Sequence, residues 1–184
     1  MSQKKKLSGI AVVWLRNDLR WANNLAFIQA SQYQHILPVF CYTKNTTSDW
    51  EIGSASKWWL HQSLETFKDE LKQKKMDLLL FEGEFCDFLK KTSKIIQISS
   101  VFWNRNYNPT HESKIKSVIT YLNKSNITWQ AFKGSLLCEP NQLLKADSTP
   151  YLVYTPFWKN FIKQYQVIKN IDPTPTPLPS MAKS

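Results

Sequence analysis

Glycine is scarce in this 184-residue chain: Gly9, Gly53, Gly83 and Gly134 stand alone, far from one another. A P-loop or a dinucleotide fingerprint needs several glycines, so that backbone N–H groups can close on a phosphate, and neither has a candidate here. Cysteine is equally sparse. Cys41, Cys86 and Cys138 match no metal-ligand spacing and form no even set of pairs, which fits a reducing cytoplasm. Long apolar runs are missing too. Gly9–Leu15 is too short for a signal-peptide core with its cleavage site, and nothing approaches the roughly 20 residues of a membrane span. Catalytic groupings are also absent. His35, His61 and His111 fall on separate predicted elements, no serine sits in a nucleophile elbow, and no pair of carboxylates stands out. We therefore assign no catalytic residue and no metal ligand.

Arginine is the most telling scarcity. Of 24 basic residues only Arg16, Arg20 and Arg105 are arginine, and the rest are lysine. Arginine offers a rigid fork of donors that grips carboxylate or phosphate at two points, whereas lysine is a mobile point charge. All three follow apolar runs that read as buried strands. For Arg16 and Arg20 the simplest role is structural, pairing with Asp18 to lock a turn. The net charge of +10 suggests affinity for polyanions, but the lysines are scattered along predicted helix faces. Solubility is the better reading of that charge.

What is present is a core: 42% hydrophobic residues and eight tryptophans, enough for one globular domain. Apolar, partly β-branched runs predict strands at Ile10–Leu15, Ile36–Tyr42, Met76–Phe81, Ser99–Trp103 and Ile127–Phe132. Helices are predicted around Leu25–Ser31, over Ser54–Lys74 with Ser54 as cap, over Phe85–Lys94 and over Glu112–Lys124. The long helix carries the stripe Leu60, Leu64, Phe67 and Leu71. This alternation predicts an α/β fold: a Rossmann-like, five-stranded parallel sheet with helices on both faces.

After residue 134 the alternation stops. Pro140 and Pro150 point to an extended connection, followed by a helix with Thr155 as cap and Pro156 at its first position, running to about Tyr165. Asp172–Pro179 is a Pro/Thr linker. We divide the chain into a domain at 1–134 and a connection at 135–184. A terminal linker suggests part of a longer architecture, a naturally short relative, or a frayed tail.

In open α/β sheets ligands bind beyond the carboxyl ends of the strands where the strand order reverses, usually between the first and fourth. There the loop Asn104-Arg105-Asn106-Tyr107-Asn108 offers amides, a guanidinium and a phenol without an acid. Phe40-Cys41-Tyr42 ends the second strand as an apolar, polarisable wall, and Trp58 and Trp59 open the long helix. We expect at least one of that tryptophan pair to pack in the core. The pocket suits a flat aromatic ligand better than a sugar or phosphate.

Four segments carry a resemblance: Trp14-Leu15-Arg16-Asn17-Asp18-Leu19-Arg20, Gly53–Leu64, Trp103-Asn104-Arg105-Asn106-Tyr107-Asn108-Pro109, and Tyr151-Leu152-Val153-Tyr154-Thr155-Pro156-Phe157-Trp158-Lys159. Together they resemble the photolyase/cryptochrome family, in register over residues 10–169, and cover only its amino-terminal α/β domain. The resemblance implies a light-harvesting antenna, a folate or a deazaflavin. FAD and the DNA-lesion pocket belong to a carboxyl-terminal helical domain not contained in this chain, acting in cis or in trans. It implies light-driven pyrimidine-dimer repair, a lyase activity, for the complete protein, with residues 1–184 inactive alone. It also implies antenna-lining roles for Phe40, Cys41, Tyr42 and Ser56, and places Arg105, Asn106, Asn108 and His111 at the chromophore. Asn106 and Asn108 replace residues that are often acidic in the family, and His111 replaces a frequent glutamate. The alternative is a non-enzymatic, cryptochrome-like photosensory or small-ligand module. DNA is a partner only through the helical domain, and no membrane is expected.

Overall fold

The computed structural model describes residues 6–44, 52–108, 112–134 and 136–165. They form two units, divided at Gly134.

The first unit alternates strand and helix. In chain order its elements are β1 (Leu7–Leu15), α1 (Leu25–Ala30), β2 (Tyr33–Tyr42), α2 (Ser54–Gln73), β3 (Leu79–Glu82), α3 (Phe85–Thr92), β4 (Ile98–Asn104), α4 (Glu112–Lys124) and β5 (Thr128–Phe132). All strand pairs are parallel and the spatial order is β3-β2-β1-β4-β5. Order reverses at β1, so β1 and β4 are the neighbours between which a crevice opens.

Strand alternation sorts the core into two layers. Ala11, Val13, Leu15, Ile36, Phe40 and Phe102 face α1 and α2, where they meet Phe27, Phe67 and Leu71. Val12, Trp14, Leu37, Val39, Val101 and Trp103 face α3 and α4, where they meet Phe85, Phe88, Val118 and Leu122. β1 is buried on both faces, which is why its sequence reads as an unbroken apolar run. Three indoles cross the second layer: Trp14 and Trp103 have centroids 6.0 Å apart, and Trp103 stacks on Trp129 at 5.4 Å.

Several expected details change. β3 begins at Leu79 rather than Met76, because pairing to β2 starts only at Val39–Leu79. Met76 and Leu78 are buried just before the strand, whereas Leu79 and Leu80 lie exposed on this edge. Ser54 is the first residue of α2 and not its cap; Gly53 occupies the cap position and offers no side chain. Asn104 belongs to β4 and not to the loop. The predicted core stripe of α2 holds: Phe67 and Leu71 are fully buried, with Leu60 and Leu64 packed against the same layer. No described helix is long and apolar enough to cross a membrane.

The second unit contains a short 3-10 turn at Pro140–Gln142 and α5 (Tyr154–Tyr165). α5 starts one residue before the expected cap Thr155, and the Phe157 N–H reaches the Val153 carbonyl at 3.4 Å. Pro156 therefore sits at the third helical position, where its missing N–H costs no intrahelical bond. The Pro/Thr linker lies outside the described residues.

Candidate ligand site at the carboxyl ends of the strands

A buried polar cluster joins the end of β1 to the end of β4. The Asp18 carboxylate accepts from the Arg16 backbone N–H at 2.9 Å and from Asn104 Nδ2 at 2.6 Å. Asn104 Nδ2 also donates to Asn24 Oδ1 at 2.8 Å. Asn24 Oδ1 in turn caps α1 by accepting from the Phe27 N–H, and Asn24 Nδ2 donates to the Arg20 carbonyl at 2.8 Å. Arg16 Nη2 donates to the Asn104 carbonyl at 2.5 Å, and its guanidinium lies 4.6 Å from the Trp14 ring centroid. Burial lowers the Arg16 pKa and the Asp18 charge opposes that shift.

This changes the roles of the arginines. Asp18 takes its partners from the Arg16 backbone and from an amide 86 positions away. Arg20 contributes its backbone: its N–H donates to the Asp18 carbonyl at 2.7 Å, and among the described residues its guanidinium makes no hydrogen bond or ion pair. The expected Arg20–Asp18 side-chain pair is therefore not formed.

Two buried polar atoms in this cluster have no hydrogen-bond partner: Arg16 Nη1, a donor, and Asn104 Oδ1, an acceptor. They stand at the end of the sheet where strand order reverses, and together they match a group that carries a carbonyl beside an N–H.

The expected wall Phe40-Cys41-Tyr42 does not exist as one surface. Adjacent strand residues point to opposite faces. Phe40 is core in the α1/α2 layer and Tyr42 is half-buried on that side, but Cys41 packs in the α3/α4 layer. Burial, with a smaller contribution from Glu84, pushes the Cys41 thiol up to about 12. Ser56 lies exposed in the first turn of α2, followed by Trp58 and Trp59, which are 62% and 69% exposed. Neither tryptophan is core, so both ring faces are open where one was expected to be buried. After β4, Arg105 and Asn108 are exposed and Asn106 is half-buried. Asn106 Oδ1 accepts from the Asn108 N–H at 3.0 Å, an Asx turn that sets the loop. The Arg105 N–H donates to the Phe132 carbonyl at 2.8 Å, tying the loop to β5. His111 lies outside the described residues.

A separate cleft of about 340 Å3 opens on the other face, lined by Trp14, Phe85, Cys86, Lys90, Lys114 and Val118 among others. Glu84 and Lys114 pair within it at 2.7 Å. Trp14 and Phe85 stack on each other at 4.2 Å, and the Arg16 guanidinium lies over Trp14, so the Trp14 ring is already occupied. Of the residues named from sequence as site candidates, none lines this cleft. No group of described residues could hold a metal ion.

Sequence reasoning missed Asn24 and the burial of Asn104. Asn24 had a local signal, an amide just before the apolar run Leu25-Ala26-Phe27. Asn104 had none, because its partners lie some 80 residues upstream in the chain.

The DNA photolyase family model matches residues 11–180. The chain belongs to the DNA photolyase family. It is 35% identical over 149 residues to the deoxyribodipyrimidine photo-lyase of Agrobacterium fabrum, covering 80% of this chain and 30% of that photolyase. A solved class III photolyase from Agrobacterium tumefaciens superposes with a TM-score of 0.80 at 30% identity, over 100% of this chain and 36% of that one. An archaeal photolyase from Sulfolobus tokodaii, at 20% identity and a TM-score of 0.76 over 94% of this chain and 38% of its own, shares the fold. That structure is described as holding two FAD molecules, with the implication of a novel light-harvesting cofactor. The chain thus spans about a third of the length of its photolyase relatives and corresponds to their amino-terminal α/β part.

Proposed function

We propose that this chain is the light-harvesting part of a deoxyribodipyrimidine photolyase, in which residues 1–134 form the antenna domain and 135–184 the connection to a carboxyl-terminal FAD domain. On this reading pyrimidine-dimer repair and DNA contact belong to that partner, joined in cis or supplied in trans. The chain works in the cytoplasm, where its three free cysteines stay reduced.

The observation that carries the reading is the unpartnered acceptor Asn104 Oδ1, beside Asp18 and the α1 cap Asn24, at the β1/β4 reversal of a photolyase-family sheet. Folates and deazaflavins both present a ring N–H, the complementary donor. Tyr42, Ser56, Asn106 and Asn108, with the open rings of Trp58 and Trp59, are the residues we assign to a flat chromophore on the α1/α2 side. Tryptophan faces supply dispersion contact and the amides fix ring orientation. Phe40 and Cys41 leave the set, because one is core and the other faces away. When bound, such a chromophore absorbs near-ultraviolet or blue light and passes the excitation on; the chain's part is to orient the rings and exclude water.

The test is visible absorption of the purified chain. A near-ultraviolet or blue band that survives desalting supports the reading. A colourless chain that also fails to take up added folate or deazaflavin overturns it.

A further inference from the structure

Gly134 is one of four glycines in the chain and stands where the first unit is divided from the second. Its φ lies outside the left-handed region that favours glycine, so backbone conformation does not call for it. A close approach does. A Cβ at this position would lie 2.4 Å from the Arg105 carbonyl oxygen, and 3.5 and 3.6 Å from the carbonyl carbon and the nitrogen of the same residue. All three atoms are main chain, which cannot swing aside as the tip of a side chain can. Gly53 makes the contrast: a Cβ there meets nothing within 4 Å.

The approach occurs at the root of the loop that carries Asn106 and Asn108. The β4–β5 ladder ends at the pair Asn104–Phe132, and the Arg105 N–H then donates to the Phe132 carbonyl at 2.8 Å. The amide side of Arg105 is thus fixed to β5, while its carbonyl side lies against the bare Cα of Gly134. That carbonyl shares a rigid plane with the Asn106 N–H, and Asn106 Oδ1 accepts from the Asn108 N–H at 3.0 Å. The pose of both amides therefore depends on the plane whose oxygen touches Gly134. We propose that Gly134 is a positioning residue for this loop: it admits the 105–106 peptide plane, and that plane aims the Asn106 and Asn108 amides at the ring edge of the chromophore. The ligand named here rests on the antenna reading, whereas the hold on the loop does not. A methyl group at 134 falls about 1 Å short of ordinary van der Waals contact. Phe132 is held in the ladder and Arg105 is exposed, so the plane is the side that yields. Recognition groups work only when held to about 0.5 Å, so a shift of that size is felt at the ligand.

The experiment compares Gly134→Ala with Gly53→Ala in the full chain, by amide NMR and by absorption titration with a deazaflavin and with a reduced folate. Gly134→Ala should move the Asn106 and Asn108 signals, and it should weaken binding of whichever chromophore the parent takes up by about tenfold or more. Gly53→Ala, the same methyl in open space, should leave those signals in place. Coupling separates positioning from a purely structural role. Added to Asn108→Leu, Gly134→Ala should cost little further affinity, because it acts through the loop that Asn108→Leu has already disabled. Unmoved loop signals, or a full additional loss of affinity in the double variant, overturn the proposal. Should Gly134→Ala fail to fold, the parent decides: chromophore uptake should shift the Gly134 amide signal together with those of Asn106 and Asn108, and a Gly134 signal that stays put overturns the proposal. A parent that takes up neither chromophore sinks the antenna reading, and the loop signals of Gly134→Ala then decide alone whether Gly134 holds the loop.

Discussion

After β1 the chain turns through Arg16–Asn24 with its carboxylate, amides and backbone locked to one another and to the end of β4. After β4, residues 105–108 leave the sheet through an Asx turn at Asn106 and a backbone bond from Arg105 to β5. The two segments stem from neighbouring strands and are both rich in amides, yet only the first places an amide, Asn24, fully inside the protein. Asn24 and Asn104 are almost fully buried, whereas Asn108 is exposed. In the turn after β1, amides do structural work: the bonds from Asn104 to Asn24 and from the Phe27 N–H to Asn24 are buried, and a partner lost there costs the desolvation of the other. In the loop after β4, the Asn108 amide lies at the surface instead.

Substitutions across the two segments test this contrast. Asn104→Leu strikes hardest. It strips Asp18 and Asn24 of a shared donor inside the protein, and urea unfolding should show a loss of about 3 kcal/mol. A loss below about 1 kcal/mol would show that the cluster is solvated after all. Next comes Asn24→Ala, which removes the α1 cap and the bond to the Arg20 carbonyl; the same measurement should give about 1–2 kcal/mol. Asn108→Leu belongs to the open loop. Stability should stay within about 0.5 kcal/mol of the parent while chromophore affinity falls, read by titration against the absorption band. Unchanged affinity would move the pocket away from this loop. Smallest of all, Arg20→Ala should leave the melting temperature within a degree or two, about the scale of 0.5 kcal/mol, because its guanidinium has no partner among the described residues. A clear drop would restore the side-chain pair with Asp18.

The sheet was legible because its signals are local. The run Ile10–Leu15 reads as a strand buried on both faces without knowing what covers it, and the adjacency of the first and fourth strands is the usual order reversal of open α/β sheets. The weak points were positions governed by distant chain. Met76 reads as strand because it is apolar and precedes leucines, but pairing to β2 begins only three residues later. Phe40-Cys41-Tyr42 reads as one wall only if the strand's two-residue period is ignored. Trp58 and Trp59 look like core by composition, and nothing in their neighbourhood reveals that α2 turns its buried stripe, Phe67 and Leu71, elsewhere. Asp18 lies between two arginines in sequence, and the natural guess of a guanidinium partner loses to an amide 86 positions away.

The three indoles of the second layer have a consequence for observation. Trp14, Trp103 and Trp129 sit on three adjacent strands with centroid steps of 6.0 and 5.4 Å, one edge-on and one nearly parallel. Rings that close, held at fixed angles by β1, β4 and β5, share their electronic transitions, so the trio has a chiral signature of its own. Near-ultraviolet circular dichroism therefore reports the register of those strands directly, and it does so whether or not any chromophore is present.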